Sequence, residues 1–276
     1  MDTANRIPAS ISPIDLYRLL GGPRAPLLLD VRKGPAFDAD SRMLPSASRV
    51  PPGAIGGWSR PGTPRMVVVY CVHGHEVSQS AAAALAGRGL QALYLEGGIA
   101  TWQELGLPLM DKRPDFGVPG TGPSRWITRE RPKIDRIACP WLIRRFVDPQ
   151  AEFLYVPTGE VLAIAAREHA VAYDIPGALL EHDGDLCSFD AVIGAFGLQD
   201  APLAALAQIV RGADTGKSNL TPQSPGLLAL SLGLSRNFPD DHAMLEHGMV
   251  MYDALYAWCR DVRDEKHNWI PTTMMA

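Results

Sequence analysis

The residues best suited to covalent chemistry lie in the run Tyr70-Cys71-Val72-His73-Gly74-His75-Glu76-Val77-Ser78-Gln79. A cysteine follows an apolar stretch and precedes a short glycine-containing loop and a helix start. In such an arrangement the backbone N–H groups from Val72 to Val77 can converge on the sulfur, and the positive end of the helix dipole faces it. Both effects favour thiolate over thiol, which makes Cys71 a nucleophile at neutral pH. The same donors would hold the outer sulfur of a persulfide. The alternative for Cys71 is an inert apolar residue closing a core strand. His73 and His75 are of a residue type suited to conditional charge or acid–base work, or else they are solvent-facing loop residues.

A second set of reactive types lies further along. In Arg136-Ile137-Ala138-Cys139-Pro140-Trp141-Leu142-Ile143-Arg144-Arg145-Phe146, Asp135 or Cys139 is expected to cap a helix. Pro140 is harmless only in the first turn. Either cap puts Cys139 where a helix dipole lowers a thiol pKa; the alternative is a core cysteine. Arg144 and Arg145 are adjacent, so they point about 100° apart rather than forming one clamp. The run Glu181-His182-Asp183-Gly184-Asp185-Leu186-Cys187-Ser188-Phe189-Asp190 mixes imidazole, thiol and carboxylates. That mixture suits a transition metal of unknown identity or thiol redox chemistry, and equally an acidic turn with Ser188 capping the next helix. His182, Cys187 and Asp190 are its candidate residues. His242 and Glu246 share a helical face and read as a solvated polar stripe. Arg211-Gly212-Ala213-Asp214-Thr215 reads as a helix ending at a glycine, without an assigned role.

The elements that would position these groups fall into two kinds. Ser12-Pro13 opens a helix that Gly21-Gly22 stops. Leu27–Val31, Met66–Tyr70 and Leu93–Leu95 read as short buried strands, and Ser78 as the cap of an alanine-rich helix reaching Gly87 or Gly89. Strands alternating with helices imply a parallel sheet covered on both faces. A breaker-rich segment, 112–123, separates this α/β unit (8–111) from a mainly α-helical second unit (124–270) with short strands. Helices are expected there at about Pro140–Val147, Gly159–Glu168, Phe189–Phe196, Pro202–Arg211 and Asp241–Arg260, with strands at Phe153–Val156 and Val171–Ile175.

Composition narrows the function classes. The 276 residues exceed ordinary single-domain size, and 46 % hydrophobic against 20 % charged content supplies two cores. A net charge of −4 argues against a general nucleic-acid surface, so DNA binding is not expected, although Arg125, Arg129, Arg131, Lys133 and Arg136 form a local basic stretch. The chain offers no membrane-length apolar run and no secretory layout at its start. Four scattered cysteines fit reduced thiols in the cytoplasm.

Several motifs carry resemblances. Asp30-Val31-Arg32, Pro52-Gly53-Ala54-Ile55, the Cys71 loop and Glu96-Gly97-Gly98-Ile99-Ala100-Thr101-Trp102 through Gly106-Leu107-Pro108 together resemble a single-domain rhodanese. That implies a sulfurtransferase with its nucleophile at Cys71, needing no cofactor and working with a sulfane-sulfur donor and a thiol acceptor. The loop departs from thiosulfate-using members, which commonly carry arginines there; Glu76 would repel a dianion. Glu76 and Val77 also stand where related phosphatases place an oxyanion-clamping arginine, so dephosphorylation is not expected. The runs from Arg136 to Phe146, Cys187 to Asp190, Ile209 to Thr215 and Tyr252 to Tyr256 resemble the C-terminal domain of the chromate-resistance protein B family. This implies a role in chromate or oxyanion resistance, with Arg136, Cys139, Cys187 and His182 as residues that could bind or reduce an oxyanion or hold a metal ion. Two functions follow: a sulfurtransferase coupled to oxyanion resistance, or a chromate-responsive regulator whose first domain only binds.

Overall fold

The computed structural model describes residues 8–59 and 66–265. The opening residues that bear on a secretory layout, and 266–270 of the expected second unit, lie outside them.

The first unit runs β1 (Ser10–Ile11), α1 (Pro13–Leu19), β2 (Leu27–Asp30), α2 (Gly34–Asp38), β3 (Arg42–Met43), β4 (Ser48–Arg49), β5 (Val67–Tyr70), α3 (Glu76–Ala86), β6 (Ala92–Leu95), α4 (Gly98–Glu104) and β7 (Met110–Asp111). Five strands form a parallel sheet in the order β1-β6-β5-β2-β4. Every residue of β2 and β5 is buried, as strands covered on both faces must be. Their alternation divides the core. Leu27, Leu29, Val67 and Val69 pack with Ala81, Ala82 and Leu85 of α3, whereas Leu28, Val68 and Tyr70 join Leu16 and Trp102 on the other face. Ser12 caps α1 as expected, accepting from the Asp15 N–H at 3.1 Å. Ser78 does not cap α3. The helix starts at Glu76 because the His75 carbonyl already accepts from the N–H groups of Ser78 and Gln79, both at 3.1 Å.

The second unit runs β8 (Arg125–Arg129), α5 (Asp135–Leu142), β9 (Glu152–Val156), α6 (Val161–Glu168), β10 (Val171–Ala172), α7 (Ser188–Ala195), α8 (Ala201–Asp214), α9 (Ser224–Asn237) and α10 (Asp241–Ala257). It is mostly helical with a small parallel sheet, β10-β8-β9. Two of these elements escape the sequence pattern. β8 is the central strand, but its Arg-Trp-Ile-Thr-Arg sequence is short and charged at both ends. α9 buries Ser224, Leu227, Ser231 and Ser235 while exposing Leu230 and Leu232, so hydrophobic periodicity cannot mark its inner face. Its serines are bonded inward: Ser231 Oγ accepts from the Ile134 N–H at 2.9 Å, and Ser224 donates to the Ile209 carbonyl at 3.0 Å.

Three local expectations are corrected. Helix α5 starts before Pro140, capped by neither Asp135 nor Cys139: Ile134 is the N-cap and Asp135 the first helical residue. Pro140 is therefore internal and cannot donate to the Arg136 carbonyl; the Tyr173 hydroxyl donates to it instead, at 3.4 Å. Cys187, rather than Ser188, caps α7 in a capping box with Asp190. Helix α8 does not stop at Gly212 but passes through it to Asp214. A Cβ at that glycine would meet the Ser224 side chain, so Gly212 lets α9 approach.

The two units share one core. Tyr70 and Trp102 belong to the same buried cluster as Trp126, Trp141, Phe146 and Tyr256. The intervening segment is packed into it: Phe116 and Val118 are buried, with Phe116 edge-on to Trp126. Gly21 has φ +70°, and a Cβ there would lie 2.5 Å from Tyr256 and 2.6 Å from Phe146. Ser46 donates its N–H to the Phe146 carbonyl at 2.7 Å. Asp200 accepts from Tyr17 of the first unit at 2.6 Å and from Tyr256 of the second at 3.0 Å.

Candidate functional site

Cys71 leaves the sheet at the end of β5 and is 7 % exposed. Its sulfur lies 3.2 Å from the Ser78 hydroxyl in the first turn of α3, whose single O–H can turn to that sulfur or to the His75 carbonyl at 3.1 Å. Burial by itself pushes the thiol up. The Ser78 hydroxyl and the backbone N–H groups of Ser78, His73 and His75 reverse that effect and hold Cys71 below its ordinary value. The sulfur is thus held by donors from the loop and the helix start. Ser78 is the one member of this group that the sequence suggests in a different role.

The loop itself is held from behind by α4. The Ile99 and Ala100 N–H groups donate to the Cys71 and Val72 carbonyls, both at 3.0 Å. This docking requires glycines. Gly98 has φ +59°, and a Cβ there would strike the Cys71 and Val72 carbonyls; Gly74 has φ +70°, and a Cβ there would lie 2.5 Å from the Leu95 carbonyl. The Glu96-Gly97-Gly98 signature therefore supports the cysteine loop directly.

In front of the sulfur is a cavity of about 280 Å³ whose walls include Cys71, His73, His75, Glu76, Val77 and Lys33. Arg32 also reaches it but is neutralised. Its guanidinium bonds the buried Asp30 carboxylate at 2.7 Å and Asp40 at 3.0 Å, and Tyr70 donates to Asp30 at 2.9 Å. Asp30-Val31-Arg32 is thus a structural brace under the site. His73 and His75 are exposed with ring centroids 6.0 Å apart, and Glu76 is exposed beside them. Lys33 and Glu76 give the cavity one charge of each sign, so the repulsion expected from Glu76 alone is partly offset.

The second unit builds a different cluster. His182 Nε2 lies 3.2 Å from Asp135 Oδ2, 3.3 Å from Asp174 Oδ1 and 3.1 Å from Asp214 Oδ2. The Asp135 hydrogen bond and the surrounding carboxylates raise His182 to about 9 against the effect of burial. Burial and the charges of Asp135 and Asp174 raise Asp214 to about 7, and burial with Asp135 raises Asp174. Arg136 and Arg129 both face Asp174 Oδ2, at 3.1 and 3.3 Å. Of these groups, the sequence singles out His182 and Arg136 as candidates. Asp135, Asp174 and Asp214 are brought to them by the fold from separate segments, and no local spacing signals their meeting.

The remaining candidates are structural in their contacts. Cys139 and Cys187 are both fully buried, and burial pushes both thiols up. This reverses the lowered pKa expected for Cys139, because that residue lies inside α5 rather than at its start. Asp190 is held by Arg211 at 2.6 Å and accepts from the Cys187 N–H at 3.1 Å. Arg144 pairs with Glu246 at 2.9 Å, and Arg145 makes two 2.8 Å bonds to Asp253. The divergence expected for these arginines is therefore realised as two separate ion pairs. His242 stands edge-on to Tyr155.

The sheet, the Cys71 loop and the glycine-supported α4 define a rhodanese-like domain, and residues 12–105 match the rhodanese-like domain family. Residues 126–259 match the ChrB C-terminal domain. It is similar to Protein ChrB of Cupriavidus metallidurans, with 35 % identity over 54 % of this chain and 47 % of that one. The chain thus spans about half the length of the curated relative it matches. Among solved structures, it is similar to a rhodanese-related protein from Thermoplasma volcanium, at 28 % identity over 37 % of this chain and 96 % of that one, TM-score 0.30. It is also similar to a thiosulfate sulfurtransferase from Pseudomonas aeruginosa, at 26 % identity over 38 % of this chain and 19 % of that one, TM-score 0.33.

Proposed function

We propose that this protein is a rhodanese-type sulfurtransferase of the cytoplasm, coupled to a domain that serves chromate or oxyanion resistance. The observation that carries the reading is the Cys71 sulfur, held low in pKa by the Ser78 hydroxyl and by loop and helix N–H groups at the floor of a cavity. A thiolate so placed attacks the outer sulfur of a sulfane donor. A Cys71–S bond forms, the donor's S–S bond (for mercaptopyruvate its C–S bond, leaving the enolate of pyruvate) breaks, and its electron pair leaves with the remaining fragment. The donors that stabilise the thiolate then stabilise the persulfide anion. An acceptor thiolate attacks the outer sulfur and returns Cys71 as thiolate. Lys33 gives an anionic donor one counter-charge at the cavity wall, while Glu76 favours donors of low charge. The link to oxyanion stress rests on the ChrB C-terminal domain. Among the described residues no helix is long and apolar enough to cross a membrane.

Purified protein incubated with thiosulfate, mercaptopyruvate or a glutathione persulfide, then analysed by mass spectrometry, tests the reading. The expected result is a one-sulfur adduct (about 32 Da) on Cys71, with thiocyanate formed from cyanide, both abolished by Cys71→Ser. No adduct with any donor would make the domain a binding module and favour the regulatory role.

A further inference from the structure

The centre of the second unit gathers one imidazole and three carboxylates around a single point. His182 Nε2 faces carboxylate oxygens of Asp135, Asp174 and Asp214 at 3.2, 3.3 and 3.1 Å. One imidazole N–H serves one of the three oxygens. The Ser188 hydroxyl donates to Asp174 Oδ1 at 3.2 Å, and Arg136 and Arg129 occupy Asp174 Oδ2. Among the described residues neither Asp135 nor Asp214 pairs with a lysine or arginine. The Asp135 side chain is only 3 % exposed and faces the nitrogen that the other two carboxylates share.

The spacing fits a cation. Ligand atoms about 2.1 Å from a metal lie roughly 3.0–3.4 Å apart, the range that His182 Nε2 makes with all three oxygens. The donor atoms of Asp135, His182 and Asp214 also lie within 4.8 Å of one another. They come from the first turn of α5, the loop before α7 and the last turn of α8, so two of the three stand on helices.

We propose that Asp135, Asp214 and His182, with Asp174 Oδ1 beside them, bind one first-row divalent cation. One imidazole nitrogen with carboxylate oxygens is a mixed set, suited to Mn²⁺, Fe²⁺ or Zn²⁺ better than to the all-oxygen cations Ca²⁺ and Mg²⁺. The arginines on Asp174 Oδ2 leave that residue a single oxygen for the metal. His182 is 41 % exposed, which gives the cation a path from solvent. The site is separate from Cys71 and does not depend on sulfur transfer.

The test uses the full chain, stripped with a chelator and exchanged into metal-free buffer. Mn²⁺ is titrated with electron paramagnetic resonance of the free ion as readout, and Zn²⁺ by calorimetry. The expected result is one tightly held ion per chain. Asp135→Asn, Asp214→Asn and His182→Gln should each weaken binding at least about tenfold. Cys71→Ser should bind as the parent does. Near-UV circular dichroism identifies any variant that has lost its fold, and His182→Gln, at the half-exposed residue, provides the folded case. Failure of the folded parent to bind either ion, or undiminished binding by folded His182→Gln, overturns the proposal. Loss of binding in Cys71→Ser would move the metal to the cysteine loop and overturn it as well.

Discussion

The Ser78 hydroxyl lies 3.2 Å from the Cys71 sulfur and 3.1 Å from the His75 carbonyl, so turning its single O–H to the sulfur ties the cysteine to the start of α3. It is the first of the hydrogen bonds that bring the thiol below its ordinary value despite burial.

Removing that bond should raise the thiol pKa. A hydrogen bond to a charged group contributes about 1.5–3 kcal/mol, so Ser78→Ala should lower the thiolate fraction near neutral pH by roughly tenfold or more. Iodoacetamide alkylation of Cys71 followed against pH measures this, and its midpoint should move up. An unchanged midpoint would assign the lowered pKa to the backbone alone.

The same shift has a consequence for stability. Folding lowers the Cys71 pKa, so ionisation stabilises the fold above the unfolded thiol value of about 8.5. The contribution fades as pH falls through the folded value. Parent and Ser78→Ala melting temperatures should therefore differ most at alkaline pH and converge towards pH 6, a trend read from thermal denaturation across that range.

Gly98→Ala should damage the site without touching the sulfur. The added methyl meets the Cys71 and Val72 carbonyls and must also accept a positive φ. A cost of about 1–3 kcal/mol follows from the backbone alone, and loss of α4 docking should slow persulfide formation more than it lowers the melting temperature. Normal persulfide formation in a folded Gly98→Ala protein would count against that support.

The two adjacent arginines of the second unit should behave differently. Arg145→Ala leaves a partly buried Asp253 without its two 2.8 Å bonds and should cost about 2–4 kcal/mol. Arg144→Ala gives up a pair whose Glu246 side chain is 69 % exposed, and should cost under about 1 kcal/mol. Chemical denaturation distinguishes them; equal losses would contradict the assignment.

Asp200→Asn tests the join between the units. It weakens acceptance from both Tyr17 and Tyr256, at about 1 kcal/mol per bond. Because the core is continuous, calorimetry of the parent should show a single transition, and the variant should unfold at lower temperature. Two separate transitions in the parent would show that the halves fold independently.

The α/β sheet and the strand–loop–helix setting of Cys71 are legible in the chain. Leu27 to Asp30 and Val67 to Tyr70 are apolar runs of strand length, and the cysteine, its glycine and the helix start are neighbours in the chain. Chemistry confined to one strand–loop–helix step is written in consecutive residues. The helical character of the second unit was legible for the same reason, save where its inner faces carry serine, as in α9, or where a strand is short and charged at its ends, as in β8. Only the tertiary structure decided which residues gather around His182. Asp135 looked like a helix cap, Asp214 followed a glycine that suggested a stop, and Asp174 had no motif at all. Their convergence depends on how α5, α8 and the loop after β10 pack, and hydrophobic patterning specifies that packing without marking which polar groups it will bring together. The pKa of Cys139 was decided the same way. Its neighbours in sequence suggest a helix start that lowers the thiol pKa, but the shared core buries the helix and pushes the thiol up.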